Sequence, residues 1–266
     1  MFSKARFAAL LAAFIMLVAG VAQADGASNS SSRSFPLEGF TAIALKGSSD
    51  LVVVQGDHFA VTASGPEDAM QFAKAVVDGD TLKLSVEAEK KFLFGVVTVS
   101  SEPEVRFQVT LPKISALRVT GSGEASADAL ESERLELSVT GSGVIRIDRV
   151  AAEELDTAVT GSGDLLVGTV LAVRGAAGIT GSGDLRIDNF VGEQLAAQIK
   201  GSGDMVIGGK VVDFDITIMG SGDFVGRTLS AQSAGGTVMG SGDIVLRRPA
   251  RESFSVMGSG DIALVE

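Results

Sequence analysis

Cysteine, tryptophan and tyrosine are absent from the 266 residues, and His58 is the single histidine. Without cysteine there is no disulfide framework, no thiolate metal site and no cysteine nucleophile. One histidine excludes a His–His zinc site and leaves any Ser-His-Asp triad dependent on His58 alone. His58 follows Gln55-Gly56-Asp57 in a loop pattern, where a lone histidine is ordinarily solvated. Without tryptophan and tyrosine there is no stack of aromatic rings to bind sugars. Positive charge is scarce too: 22 basic against 33 acidic residues give a net charge of −11, which opposes nucleic acid and anionic lipid as partners. No phosphate loop or nucleotide motif occurs. At 45% hydrophobic residues, the composition is nevertheless that of a folded chain.

The chain opens as an export signal. Lys4 and Arg6 precede the apolar run Phe7 to Ala22, and Ala22-Gln23-Ala24 has the small-x-small pattern of a cleavage site. Residues 1–24 therefore read as a signal peptide cut after Ala24. The run is short for a spanning helix, which needs about 20 apolar residues. No cysteine follows to carry a lipid, so a lipoprotein is not expected. Loss of Lys4 and Arg6 leaves 20 basic and 33 acidic residues, a net charge of −13. Residues 25–34, rich in serine, read as a disordered polar tether.

A repeat dominates the rest of the chain. Gly-Ser-Gly begins at Gly121, Gly141, Gly161, Gly181, Gly201, Gly220, Gly240 and Gly258, at spacings of 20, 20, 20, 20, 19, 20 and 18. Two residues before each stand Val119, Val139, Val159, Ile179, Ile199, Ile218, Val238 and Val256, all β-branched. Four residues after stand Ala125, Ile145, Leu165, Leu185, Met205, Phe224, Ile244 and Ile262. Each repeat holds about three short apolar strand segments and no amphipathic helix. Twenty residues are too few for a propeller blade but suit one three-sided coil of a parallel β-helix, hydrogen-bonded to the next at about 4.8 Å. The glycines supply the sharp corner, because they take φ > 0 without steric cost.

Residues 35–113 show the same grammar less regularly. Gly47-Ser48-Ser49-Asp50 is a degenerate corner between two strand patterns, and Pro66 to Val77 is the one plausible helix, opened by a proline and two acids. This segment reads as the N-terminal cap that a solenoid needs, and 114–266 as the regular coils. Gly39, Phe40 and Ile43, the run Val52-Val53-Val54-Gln55-Gly56, the step Leu111-Pro112, and the Gly-Ser-Gly-Asp coils together resemble the head GIN domain family. Its members are described as auto-transporter adhesins. The resemblance covers residues 35–266. It implies an all-β, single-stranded right-handed parallel β-helix outside the cytoplasm, with no recognised catalytic residues. No pattern of an outer-membrane translocator barrel follows the coils.

The sharpest site-like feature is an acidic ladder. Asp164, Asp184, Asp204, Asp223, Asp243 and Asp261 hold one position in successive coils, after Glu124 in an earlier one. Neighbouring carboxylates at that spacing repel by about 1 kcal/mol even in water. Turn N–H groups bonded to each carboxylate would offset this, and so would calcium. The turn reading is favoured, because one Asp per coil supplies few ligands. The residue before each corner runs Thr120, Thr140, Thr160, Thr180, Lys200, Met219, Met239, Met257, next to an inward residue, and so should face out. Arg118, Arg146, Arg174, Arg186 and Arg247-Arg248 are available as a base for a lyase-like site, but no cluster accompanies them. Lys90 to Gly95 reads as a strand packed on the cap rather than a membrane wedge.

The expected protein is periplasmic or secreted and non-enzymatic, an adhesion-type or scaffold module. No catalytic, cofactor or metal residue is assigned. Its partner would be an envelope or surface macromolecule, protein or glycan, with no nucleic acid and no stable membrane insertion. A monomer or weak homodimer is expected, because Ile262 and Leu264 on the last strand have no following coil to cover them. Two alternatives stand beside this reading: a carbohydrate-binding or pectin-lyase-like β-helix, and a calcium-stiffened structural solenoid.

Overall fold

The computed structural model describes residues 30–87, 91–93, 96–98 and 105–266. The expected leader, residues 1–24, and residues 25–29 of the expected tether lie outside them. The N-terminal third comprises β1 (Ser30–Phe35), β2 (Ala42–Gly47), β3 (Asp50–Gln55), β4 (Ala60–Pro66), α1 (Glu67–Met70), β5 (Ala73–Asp78), β6 (Thr81–Val86), β7 (Lys91–Leu93), β8 (Val96–Thr98) and β9 (Arg106–Leu111). The coils comprise β10 (Ala116–Gly121), β11 (Glu124–Gly141), β12 (Val144–Gly161), β13 (Asp164–Gly181), β14 (Asp184–Val191), β15 (Gln194–Gly201), β16 (Met205–Gly220), β17 (Phe224–Gly226), β18 (Leu229–Gly240), β19 (Ile244–Arg247), β20 (Arg251–Gly258) and β21 (Ile262–Val265). The fold is an all-β solenoid.

Stacking is parallel and in register at the sequence repeat. Val139 pairs with Val159, Ile145 with Leu165, and Leu130 with Val150. Each coil has one long side (134–141 in the first full coil) and two short ones (124–127 and 129–132). Alternate side chains enter the interior, so Leu135, Leu137, Val139, Ala125 and Leu130 are all buried there. Inward volumes compensate from coil to coil. A Cβ on Gly175 would lie 2.5 Å from the Phe190 ring, so the glycine leaves the space that the phenylalanine fills.

The two short repeats have distinct causes. Ile187 pairs with Ile207 but Phe190 with Gly209, so the 19-residue coil loses one residue at the bend after its second side. In the 18-residue coil the third side is missing. Arg248, buried Pro249 and Ala250 lead from β19 directly to β20, and the third-side ladder stops at the Leu229–Ala231 stretch of β18. Proline has no N–H for a ladder and suits a sheet edge.

The N-terminal end is built out of chain order. β2 pairs with β10 on one side and β6 on the other, while β3 lies between β11 and β9. The layer formed by β6 and β9 is thus outside an earlier layer. The segment after β9 crosses that earlier layer and is tied to it, with Ser115 N donating to Thr41 O at 2.7 Å. Antiparallel strands finish the end: β5 on β6, β4 on β9, and β1 on β4. Buried Phe40, Ala69 and Met70 close the core.

Two sequence expectations change here. The helix expected over Pro66–Val77 is reduced to α1, four residues long, and Ala73–Asp78 is strand β5. Antiparallel pairing with β6 outweighs the helical start signal, and β-branched Val76 and Val77 favour it. Residues 30–34 of the expected tether belong to β1, because a ladder on β4 needs main-chain groups rather than apolar side chains. Lys91–Leu93, within the run expected as a strand, is strand β7 and pairs with β8 in a two-stranded sheet; Lys90, Phe94 and Gly95 of that run lie outside the described residues. At the other end Val256 is 40% exposed, although Val238 in the same row is fully buried.

Candidate binding ridge

The corners make a surface that repeats in register from Gly121 to Gly258. At each, the carbonyl of the first glycine accepts the next coil's serine N–H: Ser162 to Gly141, Ser182 to Gly161 and Ser202 to Gly181, all at 2.8 Å. The carbonyl occupies the place where a side chain would begin. A Cβ on Gly181 (φ +125°) would lie 2.3 Å from Gly161 O, and one on Gly183 would lie 2.1 Å from Gly163 O. Only glycine fits a corner so closely stacked.

That closeness aligns three outward rows. The first is Thr120, Thr140, Thr160, Thr180, Lys200, Met219, Met239 and Met257, of which only Met219 is partly covered. The second is the exposed serine row from Ser122 to Ser259, in which the Ser142 and Ser162 hydroxyls lie 3.2 Å apart. The third is the acidic ladder. Eight corners at about 4.8 Å give a ridge about 34 Å long. Its first half offers hydroxyls and carboxylates; from Met219 onward, thioether side chains replace the threonines.

The carboxylates bond between coils rather than within their own turns. Asp184 Oδ1 accepts from Asp204 N at 3.2 Å, Asp204 from Asp223 at 3.0 Å, and Asp223 and Asp243 from the next Asp N–H at 2.8 Å. Earlier corners use the main chain instead: Asp164 N donates to Gly143 O at 3.0 Å and Asp184 N to Gly163 O at 3.2 Å. In the later coils the aspartates thus replace a main-chain acceptor, which offsets their mutual repulsion. Among the described residues no group of three or more carboxylate or imidazole side chains is placed to hold a metal ion.

Of the other candidate residues, Arg146 reaches the acidic row through Glu124, and the rest do not converge on this ridge. Arg118 holds Glu136 through two hydrogen bonds of 2.8 and 2.6 Å, which keeps the Glu136 carboxyl below its ordinary range and raises the guanidinium. Arg134 and Arg174 pair with the same Glu154 from adjacent coils, Arg146 with Glu124, Arg186 with Asp188, and Arg248 with Glu252. His58 is exposed beside Asp57 at 2.7 Å, and the contact lowers the Asp57 carboxyl from its usual range. One polar side chain escaped sequence reasoning. The Gln55 amide accepts from Glu131 N at 2.7 Å and donates to Glu131 O at 2.9 Å. It stands in for the missing coil at the first edge of the third side.

Comparison with known proteins agrees with this architecture. The family described as "Putative auto-transporter adhesin, head GIN domain" matches residues 39–175 and 174–265. The chain belongs to this family. No curated protein matches it by sequence. A "putative adhesin" from Parabacteroides distasonis superposes with TM-score 0.80 at 18% identity, covering 90% of this chain and 98% of that one. Another from Parabacteroides merdae gives TM-score 0.79 at 17% identity, covering 91% and 98%. One from Bacteroides fragilis gives 0.62 at 19%, covering 89% and 97%. At these identities the likeness concerns the fold. No helix among the described residues is long and apolar enough to cross a membrane.

Proposed function

We propose that this head GIN domain protein is an exported, non-enzymatic adhesion module whose corner ridge is the contact face for a surface macromolecule. The single observation that supports this reading is the continuity of the ridge. Three side-chain rows are presented at one fixed spacing by a backbone in which any side chain at the first glycine would be strained. A rigid, repeating array of hydroxyls and carboxylates suits an extended partner with a matching repeat, because ordering one contact places the next at no further conformational cost. Signal-directed export would put the ridge in the periplasm or outside the cell.

The test uses residues 25–266 against envelopes of the source cells and against a panel of neutral and acidic glycans. The comparison protein carries Thr140→Lys, Thr160→Lys and Thr180→Lys, three exposed sites that hold up no rung of the corner. Saturable binding that the triple variant loses, at an unchanged melting temperature, supports the ridge. Equal binding by the variant excludes it, and shortening of any glycan on incubation would establish catalysis instead.

A further inference from the structure

The bend between the second and third sides carries a charge order of its own. Seven residues after each Gly-Ser-Gly start, successive coils place Asp128, Asp148, Gly168, Asp188, Gly208, Arg227 and Arg247. The ladders hold this row in line: Ala127 pairs with Ile147, Val167 with Ile187, Ile187 with Ile207 and Gly226 with Leu246, each one residue before it. All five charged members are exposed.

Reversed, the row complements itself about Asp188. Asp128 then stands against Arg247, Asp148 against Arg227 and Gly168 against Gly208. The ion pairs within the chain follow the same division. Asp188, which would meet its own copy, is neutralised by Arg186 at 2.7 Å. Asp128, Asp148, Arg227 and Arg247 have no ion-pair partner among the described residues. Arg118, Arg134, Arg174 and Arg248 elsewhere on the coils do. The two glycines lie symmetrically about the midpoint, and neither leaves room for a side chain. A Cβ would fall 2.6 Å from Asp148 O at Gly168 and 2.5 Å from Asp188 O at Gly208.

Exposed apolar side chains gather beside the same midpoint. On and just past the third side, Leu171 is 54%, Val173 41% and Val191 40% exposed, in the coils of Gly168 and Asp188. A half-turn about an axis along the strands of the Asp188 coil reverses the coil order and lays each row on itself. Val191 then meets Val191 of the second copy, Val173 meets its Val212, and Leu171 lies under the aliphatic stem of its Lys210. Glu193 faces itself at the far rim, where water and salt screen it. Six coil spacings of about 4.8 Å by five residue steps of about 3.4 Å give about 500 Å² per copy, the low end for a specific interface. An apolar centre within a charged rim is the ordinary anatomy of such a contact, and a half-turn closes it at two copies.

We infer that this row and the third side beside it are the contact face for a second copy of the chain. The product is a weak two-fold dimer whose register is set by Asp128 with Arg247 and Asp148 with Arg227. The corner ridge takes no part, so the adhesive reading stands or falls separately.

The test is sedimentation of residues 25–266 from about 1 μM to about 1 mM, at about 0.05 M and about 0.5 M salt. The expected result is a monomer–dimer equilibrium without larger species, weakened about tenfold by the higher salt. Asp128→Arg with Asp148→Arg makes the row basic at both ends, and Arg227→Asp with Arg247→Asp makes it acidic at both ends. Each double variant alone should dimerise about tenfold less tightly than wild type, at an unchanged melting temperature, and the two mixed should form a heterodimer. A wild type that stays monomeric, growth beyond the dimer, or a mixture no more associated than its components overturns the proposal. Should either double variant fail to fold, Val191→Glu on the axis replaces it: loss of the dimer supports the face, and an unchanged dimer overturns it.

Discussion

Three glycines allow the two costs of a corner to be measured separately. Gly178 has ordinary backbone angles, and an added Cβ would meet only Thr157 O at 3.9 Å. Gly47 has φ +106° but, among the described residues, nothing within 4 Å of an added Cβ. Gly181 combines φ +125° with a carbonyl at 2.3 Å. Alanine at 178 should be neutral or stabilising by about 0.4–1 kcal/mol, through the unfolded chain. Alanine at 47 meets the backbone cost alone, about 1–3 kcal/mol. Alanine at 181 meets that cost and must also displace Gly161 O, which accepts from Ser182 N at 2.8 Å and Gly183 N at 3.1 Å. Two weakened bonds add about 1 kcal/mol each, for a total of about 3–5 kcal/mol. For a chain of this size that is a fall in Tm of about 6–20 °C. The assay is thermal unfolding followed by circular dichroism and calorimetry, the second to check that unfolding stays cooperative. Equal melting temperatures for the variants at 178 and 181 would refute the account of the repeat, and a variant at 47 as damaged as that at 181 would refute the separation of terms. Gly181→Val should be worse than alanine, since a β-branched residue fits positive φ least well.

Asp223→Ala removes the acceptor of the Asp243 N–H and should cost about 1–2 kcal/mol in chemical denaturation, whereas Asp164→Ala, whose carboxylate receives no rung N–H, should stay within about 0.5 kcal/mol. Millimolar calcium should raise the melting temperature no more than magnesium does; a calcium-specific rise of many degrees would show a bound ion stabilising the native state. The Glu136 carboxyl is held below its usual range, first by its hydrogen bond with Arg118. Its stabilising contribution is present above the unfolded-state carboxylate range and is lost as pH falls through the lower folded value. Glu136→Gln should therefore be less stable than wild type near neutrality and should approach it in acid, as read from urea midpoints across pH.

The regular coils were legible because their signal is local and repeated. Gly-Ser-Gly marks the corner, the β-branched residue two before it points inward, and the structure pairs each row at the sequence period. Legibility failed where partners are distant. Nothing near Thr81 announces that β6 lies outside β2, or that β9 lies outside β3. Ala73–Asp78 carries a helical preface in Pro66-Glu67-Asp68, but its main-chain groups are paired by β6. Gln55 looks like any strand-end amide until Glu131, 76 residues on, receives it. The ladder aspartates share one letter and one position, yet Asp184 caps the next rung and Asp164 does not; the difference is a small change of corner geometry invisible in composition.

The crossing of β10 past the first layer imposes an order of assembly. β2 and β3 wait for partners from later in the chain on both of their sides, so no fragment ending before Leu111 contains a finished end. Beyond β11 the requirement is different in kind: each coil needs only its predecessor, and contacts close within about twenty residues. A chain emerging amino end first would stay soft until roughly residue 127 and then condense one coil at a time. Truncations ending after successive corners would reveal this as protease resistance that is absent through Leu111 and then lengthens in coil-sized steps, while resistance in a fragment ending at Leu111 would show that the first layer stands without its later partners.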